Sequence, residues 1–188
     1  MNPYDFTHLA LLAVGEEIRG RTKLQKTVYF LGVLSGNLDE LGYRAHYYGP
    51  YSDTVAAAVN RLKALGFVRQ SSLHTGELND DGFEIARHDF DLTDEGRKIA
   101  IQKSEKNPAI WQKIQYAVDR FKKGGEIDYM KMSVAAKTFF ILSKKGEPAT
   151  FLELSESAKK LGWSPNPQEI AESIGFLKKL DLVSTAAS

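Results

Sequence analysis

Two short segments of the chain, residues 21–23 and 60–69, carry basic and amide side chains of the kind that proteins use to bind nucleic acid. Arginine and lysine contact phosphate oxygens, and asparagine can pair its amide with adenine. Between residues 19 and 69, eight basic residues stand against three acidic ones, a local charge of +5. A solvated surface whose local charge fluctuates would explain this excess equally well. The candidate nucleic-acid-binding residues are Arg21, Lys23, Asn60, Arg61, Lys63 and Arg69.

The charge of the next segment has the opposite sign. Residues 70–99 contain eight acidic and three basic residues, a local charge of −5. Three of the acids, Glu77, Asp80 and Asp81, fall at the predicted tip of a hairpin. Carboxylates at that position would repel phosphate, so they argue against DNA binding by the tip.

The sequence shows no arrangement typical of a catalytic or metal site. The four histidines, at positions 8, 46, 74 and 88, are scattered, and neither a phosphate-binding loop nor an HExxH motif is present. The segment His88-Asp89-Phe90-Asp91 comes nearest to a ligand set. Strand alternation would place His88 on one face and both aspartates on the other. We therefore predict no catalytic residues, no metal and no cofactor, and rank an enzyme last.

A second candidate surface is aromatic and suits a protein partner. Tyrosine rings bury area at low entropic cost, and small alanines permit close approach of another helix. The sequence allows three interpretations of Lys26: a hydrogen bond to the aromatic turn, a contact with a partner, or exposure of its ammonium to solvent. Intramolecular packing explains the alanines and some of the tyrosines equally well. The candidate partner-binding residues are Lys26, Tyr47, Tyr48, Tyr51, Ala56 and Ala57.

Hydrophobic periodicity predicts the helices and strands that carry these residues. Helices are predicted over residues 3–17, 23–34 and 53–65, with Thr22 and Ser52 as N-caps of the second and third. The second helix is apolar on nearly every side, which is typical of a buried helix. Strands are predicted over residues 43–48, 67–73 and 83–92, with a turn at 74–82 and Thr93 as the next N-cap.

This order predicts an α+β fold, mainly α: a winged helix-turn-helix with a two-stranded hairpin wing, followed by a C-terminal helical region. A generic α+β domain is the alternative. Residues 1–105 form the winged-helix-like domain in this interpretation, and residues 106–188 form the helical subdomain. Residues 133–183 are a candidate second three-helix unit, and capping boxes are predicted at Thr150 and Asn166.

Composition bounds the class of protein. The chain has 188 residues, a net charge of +1 and no cysteine. The near-neutral total excludes a histone-like polycation, and the missing cysteine excludes disulfides, thiol nucleophiles and zinc ribbons. No segment resembles a signal peptide or a membrane span. We expect a cytoplasmic protein with no membrane partner.

Two motifs together resemble a known family. They are Gly20-Arg-Thr-Lys-Leu-Gln-Lys-Thr-Val-Tyr-Phe-Leu31 and His46-Tyr-Tyr-Gly-Pro-Tyr-Ser52. This pattern resembles the YwgA-like family of prokaryotic proteins and, more distantly, the Panacea domain of SocA-like antitoxins. The resemblance covers about residues 5–70. It implies a small winged-helix-like protein with regulatory or toxin–antitoxin roles, and it supplies no catalytic residues.

The leading functional hypothesis is a winged-helix transcriptional regulator that binds double-stranded DNA, as a homodimer. The alternative is a protein-binding module of the antitoxin or adaptor type, which uses the aromatic turn and the Ala-rich helix face without DNA. The alternative explains the acidic hairpin better, whereas the regulator explains why the basic block coincides with the helix-turn-helix segment.

Overall fold

The protein is mainly helical, with one small sheet. The computed structural model describes residues 1–15, 17–78, 84–125, 127–164 and 166–184. The helices in these residues are α1 (Pro3–Val14), α2 (Arg21–Ser35), α3 (Asp53–Ala64), α4 (Asp94–Lys106), α5 (Pro108–Lys123), α6 (Tyr129–Lys145), α7 (Phe151–Lys160) and α8 (Pro167–Lys179). The predicted class, α+β and mainly α, is confirmed.

Three antiparallel strands form the sheet. They are β1 (Ile18–Arg19), β2 (Val68–Leu78) and β3 (Glu84–Leu92), arranged in the order β1-β3-β2. Ile18 pairs with Phe90 at one edge, and Val68 pairs with Leu92 where the hairpin begins. The first half of the chain thus runs helix, short strand, two helices, hairpin. The short strand β1 was not predicted, because two residues carry no periodicity.

Side-chain caps fix most of the helix starts where the sequence places them. Ser52 Oγ accepts a hydrogen bond from the backbone N–H of Val55, and Thr93 Oγ1 accepts one from Gly96. Both predicted capping boxes, at Thr150 and Asn166, are formed. Thr22 is the exception. Helix α2 begins at Arg21 behind Gly20, and no side chain caps it, so the predicted Thr22 cap is wrong.

Helix α2 is buried on all sides, as predicted, because two hydrophobic cores share it. Leu24, Val28 and Leu31 pack in the first core with α1, α3 and the sheet. Tyr29 and Phe30 pack in the second core with α6, α7 and α8. The helix therefore joins the two halves of the molecule.

Helix α5 belongs to the first core, although the predicted boundary at residue 106 places it with the C-terminal helices. Ile114, Ala117 and Val118 are buried there against α1 and α2. Helix α6 packs against both α7 and α8. The division at residue 106 stays a prediction about folding units.

The predicted strand over residues 43–48 is wrong. A single antiparallel bridge joins Arg44 to Tyr51, and the residues between them form a turn. Alternation of aromatic residues predicted a strand, but no strand among the described residues pairs with this segment. The predicted turn at 74–82 is also too long, because β2 continues to Leu78 and pairs with Glu84. Phe83 and residues 79–82 lie outside the described residues.

No helix in the described part of the chain is both long enough and apolar enough to cross a membrane.

Candidate functional site

One face of α3 lies open to solvent. Its buried face, formed by Val55, Ala58, Val59 and Leu62, packs mainly on α1, with further contacts to β2 and α2. The opposite face is exposed, so intramolecular packing, one alternative left open by the sequence, is not observed for Ala57. Its exposed residues are Asp53, Thr54, Ala57, Asn60, Arg61 and Ala64.

Beside this face, a groove of about 220 Å³ lies between the start of α2, the middle of α3 and the base of the sheet. Its apolar lining comes from both helices and from β3, and its polar lining includes the rim residues Arg21 and Asn60. The lining residues are Arg21, Leu24, Gln25, Tyr51, Ala56, Val59, Asn60, Gln70 and Phe90. We call this feature the α2–α3 groove.

The structure brings together three of the six predicted nucleic-acid contacts. Arg21 and Asn60 line the α2–α3 groove. The Lys63 ammonium donates a hydrogen bond to Gln70 Oε1, and Gln70 also lines the groove. Lys23, by contrast, lies in a different depression with Phe121 on α5.

Arg61 points away from the groove. Its guanidinium lies over the ring of Tyr4 on α1, 4.7 Å from the ring centroid. The Lys103 ammonium lies 4.0 Å from the same centroid and pairs with Asp5 at 2.6 Å. Burial raises the pKa of the Tyr4 hydroxyl. This contact joins α3 to α1, so the Arg61 guanidinium is already occupied by an intramolecular partner.

Arg69 is engaged on the other face of the sheet. It forms an ion pair of 2.6 Å with Asp91, its register partner on β3. On the same face, Arg87 binds both carboxylate oxygens of the buried Asp89. These pairs neutralise the positive charge of that face, and strand alternation places both aspartates on the face opposite His88.

His88 lies on the groove side of the hairpin, in a polar network that the sequence analysis missed. Its Nδ1 is 2.9 Å from Gln70 Nε2 and 2.9 Å from Ser72 Oγ. Strand alternation puts residues 70, 72 and 88 on one face, so this signal was present in the sequence. The predicted acidic tip lies outside the described residues, which include neither Asp80 and Asp81 nor the side chain of Glu77.

The aromatic turn, residues 46–51, presents two tyrosines to solvent. The side chains of Tyr47 and Tyr48 are 70% and 56% exposed, and their ring centroids lie 4.9 Å apart. Tyr51 is half-buried and lines the α2–α3 groove, and its ring lies tilted by 35° against that of His46 with the centroids 5.1 Å apart. The turn therefore borders the groove on the side of the α3 N-terminus.

Buried donors hold the backbone of this turn. Lys26 Nζ donates to the carbonyl of Pro50 at 2.7 Å, and Trp163 Nε1 donates to the carbonyl of His46 at 2.8 Å. Gly49 has a φ of +92°, and a Cβ there would lie 3.0 Å from Lys137 Cγ on α6. Only glycine fits this conformation and this close approach without strain.

Lys26 is 1% exposed, so it positions the turn and contacts no partner from the surface. Of the three alternatives, the hydrogen bond to the turn is the one observed. Burial, with a smaller contribution from the charge of Lys137, lowers the pKa of Lys26 to about 7.

His8 is a buried residue of the core. It stacks on Phe67 at 5.7 Å, its Nε2 lies 2.9 Å from the carbonyl oxygen of Gly96, and burial lowers its pKa to about 4. Within the described ranges, no group of three or more histidine and carboxylate side chains lies close enough to hold a metal ion.

Comparisons with known proteins add no relative. No model of a protein family matches the chain, and no curated protein matches it. The resemblance to the YwgA-like family stays a prediction.

Proposed function

We propose that residues 3–92 form a winged helix-turn-helix that binds duplex DNA, with α3 in the major groove. The observation that carries the proposal is the open face of α3, which lies between the start of α2 and the hairpin. The element order α1-β1-α2-α3-β2-β3 and the strand order β1-β3-β2 support the same topology. Helix-turn-helix proteins read bases with the second helix of the motif.

Phosphate contacts come from the two ends of the groove. Arg21 is the first residue of α2, and the helix start has neither a side-chain cap nor an acid in its first turn. An uncapped helix N-terminus attracts phosphate through its free N–H groups and its positive dipole end. Lys63 lies on the hairpin side, where its bond to Gln70 can be exchanged for a phosphate.

Asn60 is the residue that contacts a base edge in this proposal. It lies on the exposed face of α3 among Ala56, Ala57 and Ala64, and its amide forms no hydrogen bond with another described residue. Asparagine can form two hydrogen bonds with adenine, whereas the alanines offer only apolar contact, for example with a thymine methyl group. We therefore expect modest sequence preference, centred on one A·T base pair.

The first experiment is a fluorescence-anisotropy titration of a labelled random duplex at 50 and 200 mM salt. With about two to four phosphate contacts, affinity should fall roughly 10- to 150-fold between these concentrations. Arg21→Glu and Lys63→Glu should each weaken binding at 50 mM salt. Lys113→Glu, a matched reversal of an exposed charge on α5, should leave it nearly unchanged.

No binding at 50 mM salt would overturn the DNA proposal. So would an equal loss of affinity in the Lys113→Glu control, since that result would show attraction by total charge alone. Arg61→Glu is left out of the set, because it also breaks the contact with Tyr4.

The second candidate function is a protein-binding module, and the exposed turn favours it. Tyr47 and Tyr48 are presented on a backbone that Lys26 and Trp163 hold in place, so little entropy would be lost on binding. A Tyr47→Ala/Tyr48→Ala variant should lose a co-purified partner and keep any DNA affinity. An unchanged set of co-purified proteins would remove the turn from this hypothesis.

A further inference from the structure

We propose that the α2–α3 groove binds a small aromatic carboxylate. The effector role that follows, release of DNA by this ligand, rests on the proposed function, whereas the binding site itself does not. Four features of the groove support this site: its apolar floor, its polar rim, the positive end of α2 and its size.

The floor of the groove is apolar and comes from three elements. Leu24 of α2, Val59 of α3 and Phe90 of β3 line it, and each of these residues is almost entirely buried. Ala56 keeps the floor open, because its side chain ends at Cβ. A floor of this composition favours a flat hydrocarbon ring over a polar ligand.

The rim carries polar groups that have no partner within the described part of the chain. The Arg21 guanidinium, the Asn60 amide and the Tyr51 hydroxyl form no hydrogen bond or ion pair with another described residue. The other two polar residues are engaged: Gln25 binds the backbone of Ser52 through both ends of its amide, and Gln70 binds Lys63 and His88. The free groups are thus one cation and two neutral hydrogen-bonding groups.

The charge of the rim selects an anion. Arginine binds carboxylates with two parallel hydrogen bonds, which are stronger than bonds between neutral groups. Arg21 also starts the 15-residue helix α2, whose first turn contains no acid and no side-chain cap. The positive end of this helix adds to the attraction for a carboxylate at the same place.

The volume limits the ligand to one ring or two. Sites for drug-sized ligands measure roughly 300–1,000 Å³, and this groove measures about 220 Å³. A single aromatic ring on the floor, with its carboxylate at Arg21 and a second polar substituent near Asn60, matches both the size and the chemistry. Because Arg21 and Asn60 are also the proposed DNA contacts, ligand and duplex exclude each other.

The test uses benzoate as the probe and benzamide as its uncharged analogue. Binding of each compound to the full chain is measured by ligand-observed NMR. Benzoate should bind, and benzamide should bind about tenfold more weakly because it lacks the charge. Ala56→Phe should abolish binding by filling the groove. Ala57→Phe, the neighbouring exposed alanine that does not line the groove, should retain it.

A charge variant separates recognition from shape. Arg21→Met should lower the affinity for benzoate about tenfold, whereas Lys113→Met on α5 should leave this affinity unchanged. No benzoate binding at millimolar concentration, equal affinity for benzoate and benzamide, or equal loss in Ala56→Phe and Ala57→Phe would each overturn the site.

The DNA titration tests the effector role separately. If benzoate binds in the groove and displaces the duplex, both the site and the effector role are supported. If benzoate binds but the protein binds no DNA, the site stands and the proposed function fails. If the duplex binds and benzoate does not, the proposed function stands and this inference fails.

Discussion

At the residue scale, Lys26 shows how a charged side chain is used inside the fold. The sequence places it on an otherwise apolar helix and leaves its role open. In the structure its ammonium is taken out of water and reaches the Pro50 carbonyl, and burial lowers its pKa to about 7. Transfer of an ammonium from water favours the neutral amine, so part of the population is deprotonated at neutral pH.

This shift predicts a pH dependence of stability. Between pH 7 and 10.5 the unfolded chain binds more protons at Lys26 than the folded protein does, so the free energy of unfolding rises with pH in this window. From pH 7 to pH 9 the gain from this group is about 2 kcal/mol. Urea unfolding at both pH values measures it, and Lys26→Met should lose this gain.

Lys113→Met is the control for this experiment, because Lys113 is exposed on α5 and should keep the pH dependence of the wild type. An equal gain in Lys26→Met and wild type would contradict the assignment of the titration to Lys26.

At the element scale, the connection between α2 and α3 departs from a simple helix-turn-helix. A turn of about three or four residues joins the helices in that motif. Here residues 36–52 join them and contain a short 3-10 helix (Asp39–Leu41) and the aromatic turn. The segment ends at Ser52, which caps α3 and also donates to the carbonyl of Leu41. The start of α3 is therefore fixed by the connection itself.

Removing this cap should destabilise the protein and loosen α3. Ser52→Ala loses the bond to the Val55 N–H as well as the bond to the Leu41 carbonyl, and loss of an N-cap serine costs about 0.5–2 kcal/mol. The free energy of unfolding in urea should fall by that amount. Ser71→Ala, on the exposed face of β2, should change it by less than about 0.5 kcal/mol. If both variants lose the same stability, the cap is not what holds the start of α3.

At the scale of the whole molecule, the sharing of α2 couples the two cores. Phe30 of α2 contacts both Phe121 of α5 and Phe176 of α8, with ring centroids 5.9 and 5.7 Å apart. Trp111 packs against the first core and Trp163 lies in the second. Unfolding of either core exposes one side of α2, so neither half retains a complete core without the other.

We therefore expect one cooperative unfolding transition. Each of the two tryptophans reports on one core, so Trp111→Phe and Trp163→Phe isolate the second and the first core, respectively. In each variant, the urea midpoint from fluorescence should coincide with the midpoint from far-UV circular dichroism. Separate midpoints would show that the two cores unfold independently and would support a domain boundary near residue 106.

Much of the local structure could be predicted, because it depends on neighbours in the chain. Ser52, Thr93, Thr150 and Asn166 cap helices where their side chains meet N–H groups within three residues. The faces of β3 follow from alternation, which puts His88 on one side and Asp89 and Asp91 on the other. The strand predicted at 43–48 failed because a strand needs a partner, and alternation alone does not supply one.

The sequence by itself determined the α+β class, the buried α2 and the position of the basic segment. Tertiary packing decides which candidate side chains remain free: Arg61 is engaged by Tyr4, Arg69 by Asp91 and Lys26 by Pro50, whereas the basic Arg21 and the neutral Asn60 face an open groove. The physical reason is that each such contact joins residues far apart in the chain. Charge and periodicity indicate which contacts a side chain is able to form, and tertiary packing decides which of these contacts it forms.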